Sequence, residues 1–532
     1  MEASKCNHKG MCSPCREAED CKYKESPKTA RRGRPKGSKD KHPRKRRNAA
    51  SEPPRPIAGG SLLAPDLTRR KLTGKRFVFT AAQNNTYLHE PFWQALVRFC
   101  DKQGASLHVS RFTYNKAGWK KHGGVSKDES DDSDQIWYDP KITSYVLDEQ
   151  VKVADGLVFC GELDILPTAA TPLATLSNYT GPNSGIVPHA KVQLASLATM
   201  KHEPAKFMYT TGACTLRNYI ERKAGQVATF HHVFGALYVE VADDGEWFAR
   251  QLIADDNGIF FDIDTAYGPN WDSPASEFGE SIVTLGDIHV EKLDNNAFHT
   301  AVDMMKVVKP AHIFVHDLID FKARNHHNLN DPHFLAKQYF ARGDSVRKNM
   351  EQGASFCYSL TQLVPSAVVH VVRSNHDQAF ERWLREPSAQ FDPANAQFWH
   401  ECNALVYKNI HVKNFDVLTE VFNSFPCDVQ RVHFIREDES VIINDIEYGM
   451  HGHRGPNGAR GNPKAFRQLG RKANTGHTHS ASIIDGVWTV GVLAELDMGY
   501  NSGPSSWSHT NCITYPNGKR AMITQKGTKW RA

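Results

Sequence analysis

Five short clusters of metal-ligating residue types, in order along residues 286–479, constrain this chain more than any other feature. They are Gly286-Asp287-Ile288-His289, His316-Asp317-Leu318-Ile319-Asp320, Ser374-Asn375-His376-Asp377, His451-Gly452-His453 and Gly476-His477-Thr478-His479. Each follows an apolar run that reads as a strand: Ile282 to Leu285, Ile313 to Val315, Val368 to Val372, Val441 to Ile446 and, more weakly, the segment before His477. Side chains at the ends of consecutive strands converge on one sheet edge, where open α/β sheets place their ligands. A lone His-x-His is ordinary surface, whereas five such clusters behind five strands are hard to obtain by chance.

The residue types fit a particular chemistry. Alternate residues of an extended chain point the same way, so Asp287 and His289 offer two ligands from one turn. Asp317 follows thirty residues later, the length of one strand-helix-strand crossover. A carboxylate in that central position bridges two divalent ions about 3.5–4 Å apart. Asn375 adds a neutral carbonyl oxygen, and His451, His477 and His479 add imidazoles. This nitrogen and oxygen set, without thiolate, suits Mn, Fe or Zn over Ca and disfavours a closed structural zinc site. In the fourth cluster His451 fits best, but His453 lies two residues on and on the same side of the strand.

The set resembles the calcineurin-like metallophosphoesterase superfamily, whose signature is Asp-x-His, Gly-Asp, Gly-Asn-His-Asp/Glu, a lone His and Gly-His-x-His; it covers about 200 of the 532 residues. The resemblance implies two divalent ions, Mn first and Fe, Zn or Mg as alternatives. Asp287, His289, Asp317 and His479 would hold one ion, and Asp317, Asn375, His451 and His477 the other. A hydroxide between the ions would attack phosphorus in line. His376 would be the acid at the leaving oxygen, with Asp377 orienting its ring. Two departures stand out: His316 and Ser374 replace glycines of the family pattern, putting side chains where it has none. The third cluster running into Arg382, Trp383, Leu384 and Arg385 resembles the SbcD-like recombination nucleases. The layout of the whole chain resembles the early host-DNA-degrading proteins of some tailed phages. That implies a DNase acting in the cytoplasm of an infected bacterium, as a homo-oligomer.

The net charge of +6 is unevenly spread. Residues 22–47 carry thirteen Lys/Arg against Glu25 and Asp40, a net of +11, which leaves −5 on the rest. Such a segment buries no core and is expected to be disordered when free. Within it Arg32-Gly33-Arg34-Pro35 resembles an AT-hook core, with two arginines suited to a narrow minor groove; a generic polybasic tail or a nuclear address signal has the same composition. Ahead of it, Cys6, Cys12, Cys15 and Cys21 would complete a tetrahedral zinc site, or belong to an unstructured tail. A further basic loop follows the fourth cluster, with Arg454, Arg460, Lys464, Arg467, Arg471 and Lys472 among glycines, a composition suited to backbone phosphate.

The expected fold is α/β in three parts. Residues 1–65 are a disordered basic tail, 66–275 a separate mixed α/β domain of unassigned role, and 276–532 a metallophosphoesterase β-sandwich flanked by helices. Helices are expected at Glu90 to Lys102, Asp294 to Val308 and Asp331 to Leu363, with shorter strands after residue 430 forming a second sheet. His231-His232 lies in a strand-like run and reads as structural. With no apolar run near the roughly 18 residues of a membrane span, and no signal-peptide core, no membrane association is expected. Two enzymatic readings follow, a metal-dependent DNA nuclease and a phosphatase or phosphodiesterase for phosphoprotein or nucleotide, beside a third, a catalytically dead DNA-binding protein.

Overall fold

The computed structural model describes residues 70–114, 136–325, 328–329, 331–427 and 430–532. The cysteine cluster and the AT-hook-like Arg32-Gly33-Arg34-Pro35 lie outside these residues. Those described fall within one compact unit built on three main sheets and a small three-stranded one.

The six-stranded sheet carries the first ligand clusters. Ile282–Thr284, His312–His316, Val368–Val372 and Val432–Ile435 run parallel and in that lateral order. Antiparallel Thr510–Thr514 and Arg520–Thr524 extend the sheet beyond Ile282–Thr284. The parallel strands are rich in Val, Ile and Phe because helices cover one face of the sheet and the second sheet the other. Asn295–Val308 buries Phe298, Val302, Met305 and Val308, the residues its spacing selects, and Asp294 caps it by accepting from the Ala297 amide at 3.0 Å. The expected helix Asp331 to Leu363 is two helices, Pro332–Phe340 and Val346–Leu363. Arg342 at φ 52° breaks the run, and Ser345 starts a new helix by accepting from the Lys348 amide.

The second sheet has ten strands and crosses the expected domain boundary. Its C-terminal half runs through Ile442–Ile443, Ile446–Glu447, Lys472–Thr475, Val487–Thr489 and Ser482–Ile484. Ser482–Ile484 then pairs with Leu194–Leu197, which leads into Lys206–Thr210, Ser184–Val187, Leu157–Cys160 and Gln150–Ala154. A four-stranded sheet (Ser106–Phe112, Arg76–Gln83, Gly235–Val241, Trp247–Ile253) shares a core with it: Phe79, Leu237 and Trp247 pack with Phe159, Tyr209, Ile483 and Trp488. Residues 66–275 are therefore not a separate domain. Their strands complete a sheet whose other half carries the last two ligand clusters, and the apolar faces on both sides of residue 275 bury one another. The second sheet packed on the first, expected from the short late strands, is present: Ile446 and Tyr448 pack on Ile282, Phe314, Val372 and Ile435.

Local expectations fare unevenly. The first helix is Glu90–Gln103, started by Pro91 and by His89, whose ring accepts from the Phe92 amide, and closed by Gly104 in the left-handed region. Val441 to Ile446 is a tight hairpin and not one strand; Asn444 and Asp445, both at positive φ, turn it. His231 ends a helix, Lys223–His231, instead of lying in a strand.

His232 has the structural role expected of it. Its Nε2 donates to the Thr215 carbonyl at 2.9 Å, so its Nδ1 accepts from the Tyr219 hydroxyl at 2.6 Å. A second proton would displace that hydroxyl, and burial brings the pKa down to about 3. The unfolded chain therefore binds this proton more readily, and stability falls as pH drops from about 6.5 toward 3. His232→Gln is expected to flatten that part of the stability-pH curve, read from urea midpoints at pH 4.5 and 7.

Candidate metal centre

The loops that leave the parallel strands stay zipped together past the sheet edge. The amides of Ile288, His289 and Val290 donate to the carbonyls of His316, Asp317 and Leu318 at 2.9, 2.7 and 3.0 Å. Asp287 is laced to the other side, its amide on the Gly491 carbonyl and its carbonyl accepting from Leu493. Gly286 fits only as glycine, since a Cβ there would lie 2.8 Å from the Val492 backbone. His289, Asp317, His477 and His479 all have φ between 45° and 77°. Left-handed backbone is uncommon outside glycine and concentrates where function holds it.

This backbone gathers the side chains into two groups that share Asp317. In the first, His479 Nε2 lies 3.1 Å from His289 Nε2, 3.2 Å from Asp287 Oδ2 and 4.0 Å from Asp317 Oδ2. His289 Nε2 is 3.5 Å from Asp317 Oδ2. Ligands bound at about 2.0–2.2 Å to one ion stand about 3–3.5 Å apart, so these separations suit a common cation. In the second, His451 Nε2 is 3.3 Å from Asp317 Oδ2, and His477 joins them. His451 rather than His453 takes this place: His453 Nε2 lies 3.5 Å from Glu437 and 3.4 Å from the Gln378 amide.

The donor atoms fit positive ions. Asp287 Oδ1, Asp317 Oδ1, Asn375 Oδ1 and both ring nitrogens of His451 are buried without a hydrogen bond. Buried polar atoms are nearly always satisfied, so such a cluster calls for a partner of opposite charge. Protons partly fill that role here. Burial works against ionising Asp317, yet the adjacent His451, His376 and His289 hold it well below the usual carboxylate range. Burial likewise works against a charge on His479, but hydrogen bonds to Asp287 and Asp317, with their charges, raise it to about 9. A cation entering the site displaces such protons, coupling metal affinity to pH.

His376 stands at the edge of the first group, its ring 4.6 Å from that of His289 and perpendicular to it. Asp377 does not orient it. Asp377 is fully buried, and its Oδ2 accepts from the amide and hydroxyl of Ser374 at 3.1 and 2.9 Å. Burial, with the charge of Asp317, raises its carboxyl to about 6. The orienting group is Asp320: its carbonyl lies 3.1 Å and its Oδ1 3.5 Å from His376 Nδ1, and the same Oδ1 is 3.4 Å from His289 Nδ1. Lys292 Nζ at 3.2 Å and the Asp320 amide, donating to Glu291 Oε2 at 2.6 Å, fix that carboxylate. Asp320 ends the second sequence cluster, three residues after Asp317, and that spacing was the available signal.

The two departures find structural places. The Ser374 hydroxyl caps Asp377, and His316 is buried behind the second group, its ring 5.5 Å from that of His451. Of the arginines assigned to DNA, Arg454 and Arg460 pair across a tight loop and are exposed. Arg454 also reaches Gln378 at 3.1 Å and Glu437 at 3.5 Å. It borders a cleft of about 620 Å³, with Arg382, Arg385 and Arg436 and the carboxylates of Glu381, Glu437 and Glu439. Cys100, Cys214, Cys357, Cys402, Cys427 and Cys512 are free thiols, and no described helix is long and apolar enough to cross a membrane.

No family profile matches this chain, and no solved structure does. It is 41% identical over 480 residues to Protein A1 of Escherichia phage T5, an alignment covering 86% of this chain and 83% of that protein. With that identity across most of both chains, this protein belongs to the family of the phage T5 Protein A1.

Proposed function

We propose that this protein is a metal-dependent phosphodiesterase that cleaves DNA. The observation that carries the reading is the convergence of Asp287, His289 and His479 on one side of Asp317 and of His451 and His477 on the other. They form two nitrogen and oxygen sites sharing one carboxylate, and Asn375, its Oδ1 buried without a hydrogen bond, is the further ligand we assign to the second. Two divalent ions held there, Mn first among them, would supply Lewis acidity toward a phosphoryl oxygen and lower the pKa of water.

The chain's own groups supply the rest. The shared carboxylate sets the spacing of the two sites, and the zipped loops hold it rigidly. His376, its Nδ1 engaged by Asp320, presents the opposite nitrogen for donation to the leaving oxygen. The Gly476 backbone closes over the centre so tightly that a Cβ would lie 2.1 Å from Asp287 Oδ1, which excludes bulk water from that side.

Support for DNA comes from the cleft beside Gln378, the helix residue two places after His376. Arg382, Arg385 and Arg436 project there with Arg454, where a backbone phosphate could exchange for their carboxylate partners. The basic segment 22–47 adds long-range attraction for a polyanion. Membership in a phage protein family agrees with a nuclease that acts on the DNA of the infected cell.

The test is hydrolysis of plasmid and linear DNA with Mn(II), Mg(II) or EDTA. Mn(II)-dependent cleavage, abolished by EDTA, is expected. Turnover of a nitrophenyl phosphomonoester with no cleavage of DNA would overturn the nuclease and favour a phosphatase at the same centre.

A further inference from the structure

The loop between Leu496 and Ser508 brings two aromatic rings to the rim of the metal centre. Trp507 lies 4.3 Å, ring to ring, from His479, and Tyr500 follows at 6.0 Å from Trp507, nearly perpendicular to it. One face of Tyr500 packs under Lys292, whose Nζ is 4.7 Å from the ring centre and 3.2 Å from Asp320, the partner of His376. The two rings thus bridge from a metal ligand to the group that orients the proposed acid.

The platform is tied down, Trp507 half-buried against Val492, Ala494 and Met498 and Tyr500 open. Asn501 ties the first end of the loop, accepting from the Met498 amide and donating to the Leu496 carbonyl; Asp497 accepts from Gly499, and Ser506 meets Ser480 at 2.7 Å. Ser505 is anchored to Thr199 in the other half of the chain. Yet Tyr500 leaves 53% of its surface exposed. A large ring held still and left open beside a phosphoester site is shaped for a flat, aromatic partner.

We propose that Tyr500 and Trp507 form the subsite for the nucleobase next to the scissile phosphate. The substrate strand is therefore bound unstacked, as single-stranded DNA or a frayed end. In an intact duplex both faces of each base are covered by neighbours, so neither ring can stack until the base has left the helix. The inference rests on the phosphodiesterase reading and adds the substrate class to it.

The test is a cycle between side chain and base. A single-stranded oligonucleotide carries one cleavable phosphodiester among methylphosphonates, with the base present or absent on each flanking nucleotide in turn, and is assayed with Mn(II). Removing the correct base is expected to lower kcat/KM of the wild type and of Tyr500→Phe by about tenfold or more, the size of one stacking contact. Tyr500→Ala and Trp507→Ala are expected to be slow on the intact substrate and indifferent to the missing base. Equal base dependence in wild type and alanine variants would overturn the platform while leaving the phosphodiesterase intact. Cleavage of plasmid DNA with none of these substrates cut would overturn the subsite alone, and cleavage of no DNA at all would overturn both.

Discussion

Asp317→Ala is expected to abolish metal-dependent hydrolysis and, with it, the thermal response of the protein to Mn(II). The Asp317 Oδ2 atom lies within 3.3–4.0 Å of three imidazoles, those of His451, His289 and His479, and its other oxygen is buried without a hydrogen bond. Groups that merely orient a ligand cost about 10–100-fold when removed, so loss of the shared ligand should exceed about 100-fold. Wild-type protein with Mn(II) at a hundred times its dissociation constant should gain about 2.7 kcal/mol of stability, seen as a rise in Tm, and the variant almost none. An undiminished rise in Tm in Asp317→Ala would mean that the ion binds elsewhere.

The second large effect belongs to His376. Replacing it with alanine is expected to lower kcat by about 10²–10⁴-fold, the usual contribution of general acid catalysis, while the Mn(II)-induced rise in Tm persists. The two readouts matter because His289, Asp320 and His376 also bring ligand atoms within 4.8 Å of one another. If His376 were a ligand, its loss would reduce the thermal response as well as the rate. As an acid, its loss should matter less for a nitrophenyl diester, whose leaving group departs without a proton. The same assays separate the two aspartates. Asp320→Asn should lower kcat, because Asp320 touches the His376 ring, whereas Asp377→Asn acts through the Ser374 turn and should mainly shift stability.

What the sequence revealed follows from which interactions are local. The strands behind the first three ligand clusters and the helix Asn295–Val308 are announced by runs and periodicities that a short window contains. Asp287-x-His289 and His477-x-His479 were legible for the same reason: both ligands of each pair come from one turn. His451 fitted best from sequence, but what sets His453 apart, Glu437 from a turn and Gln378 from a helix, is distant in the chain. The orienting role was given to Asp377 instead of Asp320 for a related reason. Adjacency to His376 suggested Asp377, but a helix starts there and turns that carboxylate back onto Ser374, while Asp320 arrives from a neighbouring strand end. The supposed domain boundary was the largest miss. Short, partly apolar strands on either side of residue 275 do not show which partners they will take, and Leu194–Leu197 finds its partner in Ser482–Ile484.

That pairing bears on how the protein is made. Ser196 donates to the Ala481 carbonyl at 2.6 Å across a separation of 285 residues. At about 5–20 residues per second, the ribosome needs roughly 15–60 s to deliver the second strand after the first has emerged. Until then the long sheet has an open edge, and neither His477 nor His479 has been synthesised. The ligand set is completed by the same late segment that seals the fold, so a nascent or prematurely terminated chain carries only fragments of the centre. On the proposed function, hydrolytic capacity is tied to completion of the polypeptide.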